Sequence, residues 1–223
     1  MRTAATRSPF STRASRDRRS ARPRPGFEFG ALFRDPVFWG VGVPRGDGRS
    51  VLVLPGLGGG DAYLQPLRGW LRRVGYSPIR SGLDRNPGWS QELVDELGAV
   101  VEKAAKESGK PVSISGHSMG GLIARSIGKA RPASVDRIIT LGSPLAMGTE
   151  TLPPTVALTA IYSRDDRIVR YPSSLARDPG AASIEVPGSH IGLAMNAAVY
   201  RELGRLLAAP RVAPVSTAPI EYL

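Results

Sequence analysis

The sequence predicts an α/β fold, with a mostly parallel sheet and helices on both of its faces. Three observations support this prediction. Short runs of β-branched residues and leucine alternate along the chain with segments whose apolar residues recur at helical spacing. Each helical segment separates two strand-like runs, so consecutive strands need crossover connections, which join parallel strands. Finally, 223 residues with 41% hydrophobic content can bury one core and are few for two domains.

The net charge of +11 is concentrated at the N-terminus. Residues 1–26 contain eight arginines and one aspartate, so about +4 remains for the rest of the chain. This segment has one aromatic residue and no apolar periodicity, and we expect it to be a disordered basic tail. The folded domain is predicted at residues 27–210, followed by a second tail at 211–223. We expect no specific nucleic-acid partner, and weak polyanion binding by the arginine tail is the alternative.

The chain contains no cysteine, which excludes disulfides, thiolate metal sites and a cysteine nucleophile. The basic N-terminus is not followed by the apolar core of a secretory signal, and the apolar run at 37–43 is short. We therefore expect a cytoplasmic protein without integral membrane association. The oligomeric state is left open.

Two strands and one helix are predicted in the segment up to residue 80. The run SVLVL at residues 50–54 is typical of a buried strand. Leucines and valine at helical spacing predict a helix over residues 64–74, with Asp61 as its N-cap and Gly75 as its stop. The next strand is expected at residues 76–80.

The remaining elements continue the alternation. Apolar residues over 93–104 lie on one helix face, and we expect Ser90 to cap this helix and Gly109 to close it. Further strands are predicted at residues 111–115, 135–141, 155–162 and 182–186, with helices at 119–130 and 193–207.

Four loops follow strands of the predicted sheet and carry reactive or glycine-rich sequence. Ligands of such sheets bind beyond the carboxyl ends of the strands, so these are the loops where a site is expected. They cover residues 55–61, 116–121, 163–169 and 187–192.

The second of these loops contains GHSMG, which matches the pattern G-x-S-x-G between a predicted strand and a predicted helix. A sharp turn there would leave Ser118 strained and exposed, while Gly116 and Gly120 would let neighbouring backbone approach closely. The helix N-terminus would offer N–H groups to a developing oxyanion. We interpret Ser118 as a nucleophile, and the alternative is a tight turn that contains a serine.

A serine hydroxyl needs a base, and the chain has two histidines. His117 lies beside Ser118 on the same turn and is poorly placed to reach its hydroxyl. His190, which follows the last predicted strand, is therefore the predicted base. Asp166 is preferred over its neighbour Asp165 as the acid that orients the imidazole, although either aspartate could instead cap the following turn.

The first loop, LPGLGGGD, does not predict nucleotide binding, because it lacks both G-x-G-x-x-G and a following lysine with serine or threonine. We predict that this loop directs one backbone N–H, that of Leu57, at the oxyanion. The second donor is the N–H of Met119, directly after the nucleophile. We predict no metal site and no organic cofactor.

Together these motifs resemble the α/β-hydrolase fold, in particular small bacterial lipases and esterases without a large lid. The resemblance covers residues 48–208 through GHSMGG, ITLGSP, IYSRDDRIV and GSHIGL. Carried over by position, it implies a nucleophile at Ser118, an acid at Asp166, a base at His190 and oxyanion donors at Leu57 and Met119.

The chain departs from the family's pattern at two positions outside the triad. Pro55 stands where many of these lipases have histidine before glycine, and Leu145 stands where many have histidine after Ser-Pro. The gap between the strands predicted at 135–141 and 155–162 is about a dozen residues, too short for a lid domain. We expect an open site, with Trp89, Leu145 and Met147 as contacts of the acyl group.

The sequence thus predicts a serine hydrolase that cleaves carboxylic esters of small molecules or lipids through an acyl-enzyme on Ser118. The same triad would serve an acyltransferase or a hydrolase of amides or thioesters. A rival from another class is an inactive hydrolase-like binding domain whose arginine tail binds polyanions. Acyl chain length and the physiological substrate are left open.

Overall fold

A computed structural model describes residues 25–148 and 151–210. Three short 3₁₀ turns lie at Pro36–Trp39, Leu145–Met147 and Gly192–Met195. The strands are β1 (Ser50–Leu54), β2 (Ser77–Arg80), β3 (Val112–His117), β4 (Val135–Leu141), β5 (Ala157–Tyr162) and β6 (Ala182–Glu185). The helices are α1 (Pro25–Arg34), α2 (Gln65–Arg73), α3 (Gln91–Ser108), α4 (Met119–Ala130) and α5 (Ala197–Ala208).

The six strands form one sheet in the order β2-β1-β3-β4-β5-β6, and every neighbouring pair is parallel. Gly116 of β3 is level with Leu54 of β1 on one side and with Thr140 of β4 on the other. The loops after these three strands therefore start side by side at the carboxyl edge. The predicted α/β class with a parallel sheet is confirmed.

Helices cover both faces of the sheet, as predicted. Val51 and Val53 belong to the core cluster that includes residues of α2 and α5, whereas Leu52 and Leu54 belong to the cluster of α3 and α4. This alternation follows from the period of two along a strand. Because β1 contributes to both cores, its end at Leu54 is fixed from two sides.

Helix α1 was not predicted. It begins at Pro25, within the last two residues of the expected tail at 1–26. Its apolar residues Phe29, Leu32 and Phe33 do have helical spacing, and Leu32 is fully buried in the core. The arginine-rich composition before it obscured this short pattern. Residues 1–24 and the predicted tail at 211–223 lie outside the described residues.

The prediction that Asp61 caps the helix α2 is wrong. The N-cap position is Leu64, which makes no side-chain capping bond. Asp61 is instead buried, and its carboxylate accepts hydrogen bonds from Arg68 (3.1 Å) and from the backbone N–H groups of Ser81 (3.2 Å) and Gly82 (2.9 Å). It therefore ties α2 to the loop after β2, which the local pattern could not reveal.

Other helix ends are closer to prediction. The Ser90 hydroxyl accepts from the N–H of Leu93 at 3.2 Å, and Gly109 ends α3 with a φ of 66°. The last helix starts later than residue 193, because Asn196 caps it by accepting from the N–H of Ala198 at 2.8 Å. The residues before Asn196 form the separate 3₁₀ turn Gly192–Met195.

The connection between β4 and β5 carries no lid domain. Within its described part, the regular structure is the three-residue turn Leu145–Met147. The prediction of a fold without a large lid is confirmed. Across residues 25–148 and 151–210, no helix combines the length and the apolar character that crossing a bilayer requires.

Candidate active site

Ser118 occupies the turn between β3 and α4 in a strained conformation. Its φ is 53° and its ψ is −123°, and no other non-glycine residue in the described ranges has a positive φ. Such a conformation costs roughly 1–3 kcal/mol and persists only where neighbours enforce it. Here the N–H of Ser118 donates to the carbonyl of Leu141 at 2.9 Å, which anchors the turn to the end of β4.

The two glycines of GHSMG are needed for close packing of this turn. A Cβ on Gly116 would overlap the backbone of Gly120. A Cβ on Gly120 would lie 2.5 Å from the carbonyl oxygen of Leu54, at the end of β1. The turn therefore packs backbone to backbone against the neighbouring strand, as the sequence pattern predicts.

A series of hydrogen bonds joins Ser118 to the other two predicted triad members. Ser118 Oγ lies 3.0 Å from His190 Nε2, and His190 Nδ1 lies 2.6 Å from Asp166 Oδ2. The other carboxylate oxygen of Asp166 accepts the N–H groups of Ile168 (2.8 Å) and Val169 (2.9 Å). Because a carboxylate only accepts, His190 carries its proton on Nδ1, and Nε2 is left as an acceptor facing the Ser118 hydroxyl.

The geometry separates the two adjacent aspartates. Asp166 is 4% exposed and bonded to His190, whereas Asp165 is exposed. Gly142, which follows β4, makes room for the pair: a Cβ there would lie 3.0 Å from Asp166 Oδ2 and 3.4 Å from His190 Nδ1. Its φ of 57° also favours glycine. Gly142 lies in the motif ITLGSP, but the sequence alone assigns it no role in the site.

His117 is buried and lies against partners other than Ser118. Its Nε2 is 2.9 Å from the carbonyl oxygen of His190, and its Nδ1 is 2.9 Å from the hydroxyl of Tyr63. Burial disfavours the charged ring and lowers the pKa of His117 to about 4. His117 is therefore neutral at physiological pH and has no free nitrogen with which to accept the serine proton.

The two predicted oxyanion donors belong to the loop after β1 and to the start of α4. Within the described parts of the chain, neither Leu57 nor Met119 uses its N–H in a hydrogen bond to the protein. Met119 is the first residue of α4, where an unpaired N–H is expected. The loop of Leu57 lies against Ser118, since a Cβ on Gly56 would be 3.0 Å from the Cβ of Ser118.

Hydrogen bonds from outside hold the loop of Leu57. Gly58 donates its N–H to the carbonyl of Asn86 at 2.8 Å, and the side chain of Asn86 donates to the carbonyl of Pro55 at 2.7 Å. The N–H of Gly56 donates to the hydroxyl of Tyr63 at 2.8 Å. The loop is thus supported before any substrate binds, which is what a preorganised donor requires.

Glu28 of α1 holds the turn that carries His190. Its carboxylate accepts from the N–H of Ser189 at 2.8 Å and from the Ser189 hydroxyl at 2.5 Å. The N–H of Gly192 in turn donates to the Ser189 hydroxyl at 3.2 Å, and a Cβ on Gly192 would collide with Glu28. The sequence gives no sign of this contact, which joins residues 161 positions apart.

A cavity of about 550 Å³ lies along α4, and its lining includes Met119, the residue after Ser118. Two of the three predicted acyl contacts, Trp89 and Met147, line it, and Trp89 donates its indole N–H to Ser126 at 2.9 Å. The prediction that Leu145 contacts the acyl group is corrected, because this residue is buried in the 3₁₀ turn and does not line the cavity. Other wall residues are Met119, Leu122, Arg125, Lys129 and Leu152.

Comparison with known proteins adds to this geometry. The family model described as "Serine aminopeptidase, S33" matches residues 74–176, a segment that includes Ser118 and Asp166. The solved structures give broader but more distant matches.

Three solved structures show the same fold. A monoacylglycerol lipase from Paleococcus ferrophilus is 14% identical, with 74% of this chain and 96% of that chain covered and a TM-score of 0.53. An α/β serine hydrolase without a lid from Xanthomonas campestris is 17% identical, with 74% and 84% covered and a TM-score of 0.55. A dienelactone hydrolase from Anabaena variabilis is 17% identical, with 74% and 85% covered and a TM-score of 0.54.

The sequence identity to these neighbours is too low to assign a substrate to this chain. What they share with this chain is its architecture. The parallel sheet, the connection without a lid and the turn at Ser118 agree with the resemblance that the motifs implied. The chain is therefore identified as an α/β-hydrolase-fold protein, similar to the hydrolases of that fold that lack a lid.

Proposed function

We propose that this protein is a serine hydrolase that cleaves carboxylic esters through an acyl-enzyme on Ser118. The observation that carries the proposal is the series from Ser118 Oγ to His190 Nε2 (3.0 Å) and from His190 Nδ1 to Asp166 Oδ2 (2.6 Å). A serine, a base and an acid within hydrogen-bond distance in this order are what nucleophilic acyl transfer requires.

The acylation step follows from these contacts. Ser118 Oγ attacks the carbonyl carbon while His190 Nε2 takes the hydroxyl proton, and Asp166 stabilises the imidazolium that forms. The carbonyl oxygen becomes an oxyanion that accepts from the N–H groups of Leu57 and Met119, and each such donor is worth about 3 kcal/mol. His190 then gives its proton to the departing alcohol oxygen, and the ester carbon remains bonded to Ser118.

Deacylation repeats the same steps with water. His190 Nε2 takes a proton from a water molecule, whose oxygen attacks the acyl carbon. The second oxyanion uses the same two N–H donors. When it collapses, the bond to Ser118 Oγ breaks and His190 returns the proton to the serine, which releases the carboxylic acid and restores the enzyme.

The shape of the site supports an ester of a small molecule or lipid as substrate. The described part of the β4–β5 connection places no lid over Ser118, and apolar walls from Met119, Leu122 and Leu152 suit an acyl chain. Two similar structures are named as a monoacylglycerol lipase and a dienelactone hydrolase, which supports the same class of bond for this chain.

Amide hydrolysis is a second candidate, because the matching family is described as a serine aminopeptidase. Such an enzyme binds the ammonium group of a peptide N-terminus. Among the described residues that line the cavity there is no carboxylate to bind such a group, and the lining residue Arg125 is ion-paired with Asp178 at 2.9 Å. Because its described apolar walls suit an acyl chain and offer an ammonium group no carboxylate, the ester is the better match to this cavity.

The test is a series of nitrophenyl esters of increasing acyl length, with nitroanilides of the same acyl groups. We expect the wild-type protein to hydrolyse the esters and the Ser118→Ala and His190→Ala variants to lose that activity. A maximum at roughly two to four carbons indicates an esterase and a maximum at long chains a lipase. Hydrolysis that survives in Ser118→Ala, or faster cleavage of the anilides, would contradict the proposal.

A further inference from the structure

Behind Ser118, four groups form a continuous hydrogen-bonded chain that the acyl-transfer chemistry does not use. The N–H of Gly56 lies 2.8 Å from the Tyr63 hydroxyl, which lies 2.9 Å from His117 Nδ1, and His117 Nε2 lies 2.9 Å from the carbonyl oxygen of His190. We call this chain the buried relay. It joins the loop of the predicted oxyanion donor to the loop of the base, through the residue before the nucleophile.

The direction of every bond in the buried relay is determined by its two ends. The His190 carbonyl can only accept, so His117 carries its proton on Nε2 and leaves Nδ1 bare. The bare Nδ1 accepts from the Tyr63 hydroxyl, whose oxygen then accepts the N–H of Gly56. One neutral tautomer therefore satisfies every member of the chain.

Burial keeps the relay in this state. The pKa of His117 is lowered to about 4 and that of Tyr63 is raised to about 12, in both cases chiefly because burial disfavours the charged form. The titratable groups that face His117 are His190, whose ring centroid is 5.0 Å away, Asp166 and Tyr63. Neither relay side chain changes charge in the pH range where an imidazole base works.

We propose that His117 and Tyr63 are positioning residues, which hold the oxyanion loop and the histidine loop in fixed relation to Ser118. The proposal rests on the ester hydrolase function proposed above. Gly56 directly precedes Leu57, so the bond from Gly56 to Tyr63 orients the peptide next to the predicted donor. The bond from His117 holds the backbone of His190 itself.

The relay acts through other residues and not on substrate. Both nitrogens of His117 are bonded within the protein, and the Tyr63 hydroxyl is bonded on both sides. A role in positioning should therefore change the rate of the chemical step more than substrate binding, because a small misplacement of a donor is felt mainly in the transition state. A merely structural role would change stability and leave kcat as it is.

Three variants cut the relay at different bonds. Tyr63→Phe removes the hydroxyl in the middle. In His117→Gln the side-chain amide can reach the position of Nε2 and keep the bond to His190, whereas in His117→Asn it can reach the position of Nδ1 and keep a partner for Tyr63. Tyr76→Phe is the matched control, since Tyr76 is also buried but precedes β2 at the far end of the sheet.

We expect Tyr63→Phe to lower kcat for a nitrophenyl ester about tenfold to a hundredfold, with KM within about twofold of wild type. His117→Gln should have a similar effect, and the double variant should be no slower than Tyr63→Phe, since the bond between Tyr63 and His117 that His117→Gln removes is already lost in that variant. Tyr76→Phe should leave kcat within about twofold of wild type. Thermal unfolding identifies variants that fail to fold, and if Tyr63→Phe is one of them, His117→Gln is the test.

Nitrogen NMR spectroscopy measures the tautomer and the protonation state of His117 without relying on activity. The full sequence has only two histidines to assign. We expect His117 to be the tautomer protonated on Nε2, without titration between about pH 5 and pH 8. Tyr63→Phe should keep this tautomer, because the His190 carbonyl still accepts from Nε2, but should shift the Nδ1 resonance, which loses its hydrogen bond. Titration of His117 near the ordinary histidine value would overturn the proposal.

The two proposals fail in different ways. If the wild-type protein hydrolyses no ester, the proposed function is overturned. If it does hydrolyse them, and the His117 tautomer is as expected, then a Tyr63→Phe variant with wild-type kcat overturns the positioning role alone.

Discussion

The sheet carries a buried polar cluster at each of its two edges, and the clusters differ in how their groups are paired. At the amino edge, the carboxylate of Asp136 accepts from Arg49 at 2.7 Å and from the Ser113 hydroxyl at 2.8 Å, and Arg137 lies 3.4 Å from it. Arg137 also donates to the carbonyl of Ala209 at 2.9 Å, just past the end of α5. Charges there are matched by opposite charges or by carbonyl groups.

At the carboxyl edge, groups are held in states that cost free energy or that leave a donor unused within the described chain. Ser118 is strained, His117 is buried and neutral, and the N–H groups of Leu57 and Met119 are unused within the described chain. The comparison teaches that a buried polar cluster is not in itself a sign of function. The unused N–H groups and the strained Ser118 distinguish the carboxyl edge. Changes there should alter rate, whereas changes at the amino edge should alter stability.

The largest effect is expected for Asp166→Asn, which removes the charge behind His190 and can stabilise the wrong tautomer. We expect kcat/KM for a nitrophenyl ester to fall about a thousandfold to ten-thousandfold, or about 4–5.5 kcal/mol, with little change in thermal stability. Asp165→Asn is the matched control and should stay within about threefold of wild type. Equal losses in the two variants would remove the distinction between the adjacent aspartates.

At the other edge, Asp136→Asn should act on stability. The substitution removes the carboxylate that Arg49 and Arg137 share and leaves Arg49 with only Asp47 at 3.3 Å, which should lower the free energy of unfolding by about 3 kcal/mol. The kcat/KM of the folded protein should remain within about twofold of wild type. Denaturant unfolding and steady-state kinetics check the two parts, and a tenfold loss of rate would show that the edges are coupled.

The carboxyl edge should also make the fold sensitive to acid. The pKa of His117 is about 4 in the folded protein against an ordinary value of 6.5, so between these values the unfolded chain binds more protons. The contribution of His117 to the free energy of unfolding is fully present above about pH 6.5. It is lost as the pH falls to about 4, and the total loss is on the order of 3 kcal/mol.

Urea unfolding at several pH values measures this acid sensitivity. His117→Gln should flatten the dependence of the unfolding free energy on pH by the same amount, because glutamine does not titrate. A variant with the wild-type pH profile would mean that other groups account for the acid sensitivity.

A smaller effect is expected at Glu28, which acts on the histidine turn from α1. Glu28→Ala leaves the N–H and hydroxyl of Ser189 without their acceptor, and we expect kcat/KM to fall about tenfold. Glu28→Gln should recover part of the rate, because an amide oxygen still accepts from an N–H. Glu92→Ala, at an exposed position of α3, is the control. A Glu28→Ala variant with wild-type kinetics would show that the turn of His190 keeps its conformation without Glu28.

Features that depend on neighbouring residues could be predicted from the sequence. The turn at Ser118 could be predicted from a strand, a serine flanked by glycines and a helix in sequence. The parallel sheet then places the loops of Ser118, Asp166 and His190 at one edge. Ser90 as a cap followed from the residue itself and the apolar pattern after it.

Features that depend on distant partners could not be predicted. Asp61 has the sequence position of a cap, but burial beside Arg68 gave it another role. Leu145 follows the end of a strand in the region of the site, yet the 3₁₀ turn directs it into the interior. Glu28 contacts Ser189 across most of the chain, and no local pattern records such a pairing.

The central claim is that Ser118 is a nucleophile activated by His190, and labelling with a fluorophosphonate probe tests it most directly. Peptide mass spectrometry of the labelled full-length protein should place one adduct on Ser118, with none in Ser118→Ala and strongly slowed labelling in His190→Ala. An unlabelled wild-type protein, or an adduct that persists in Ser118→Ala, would contradict the claim.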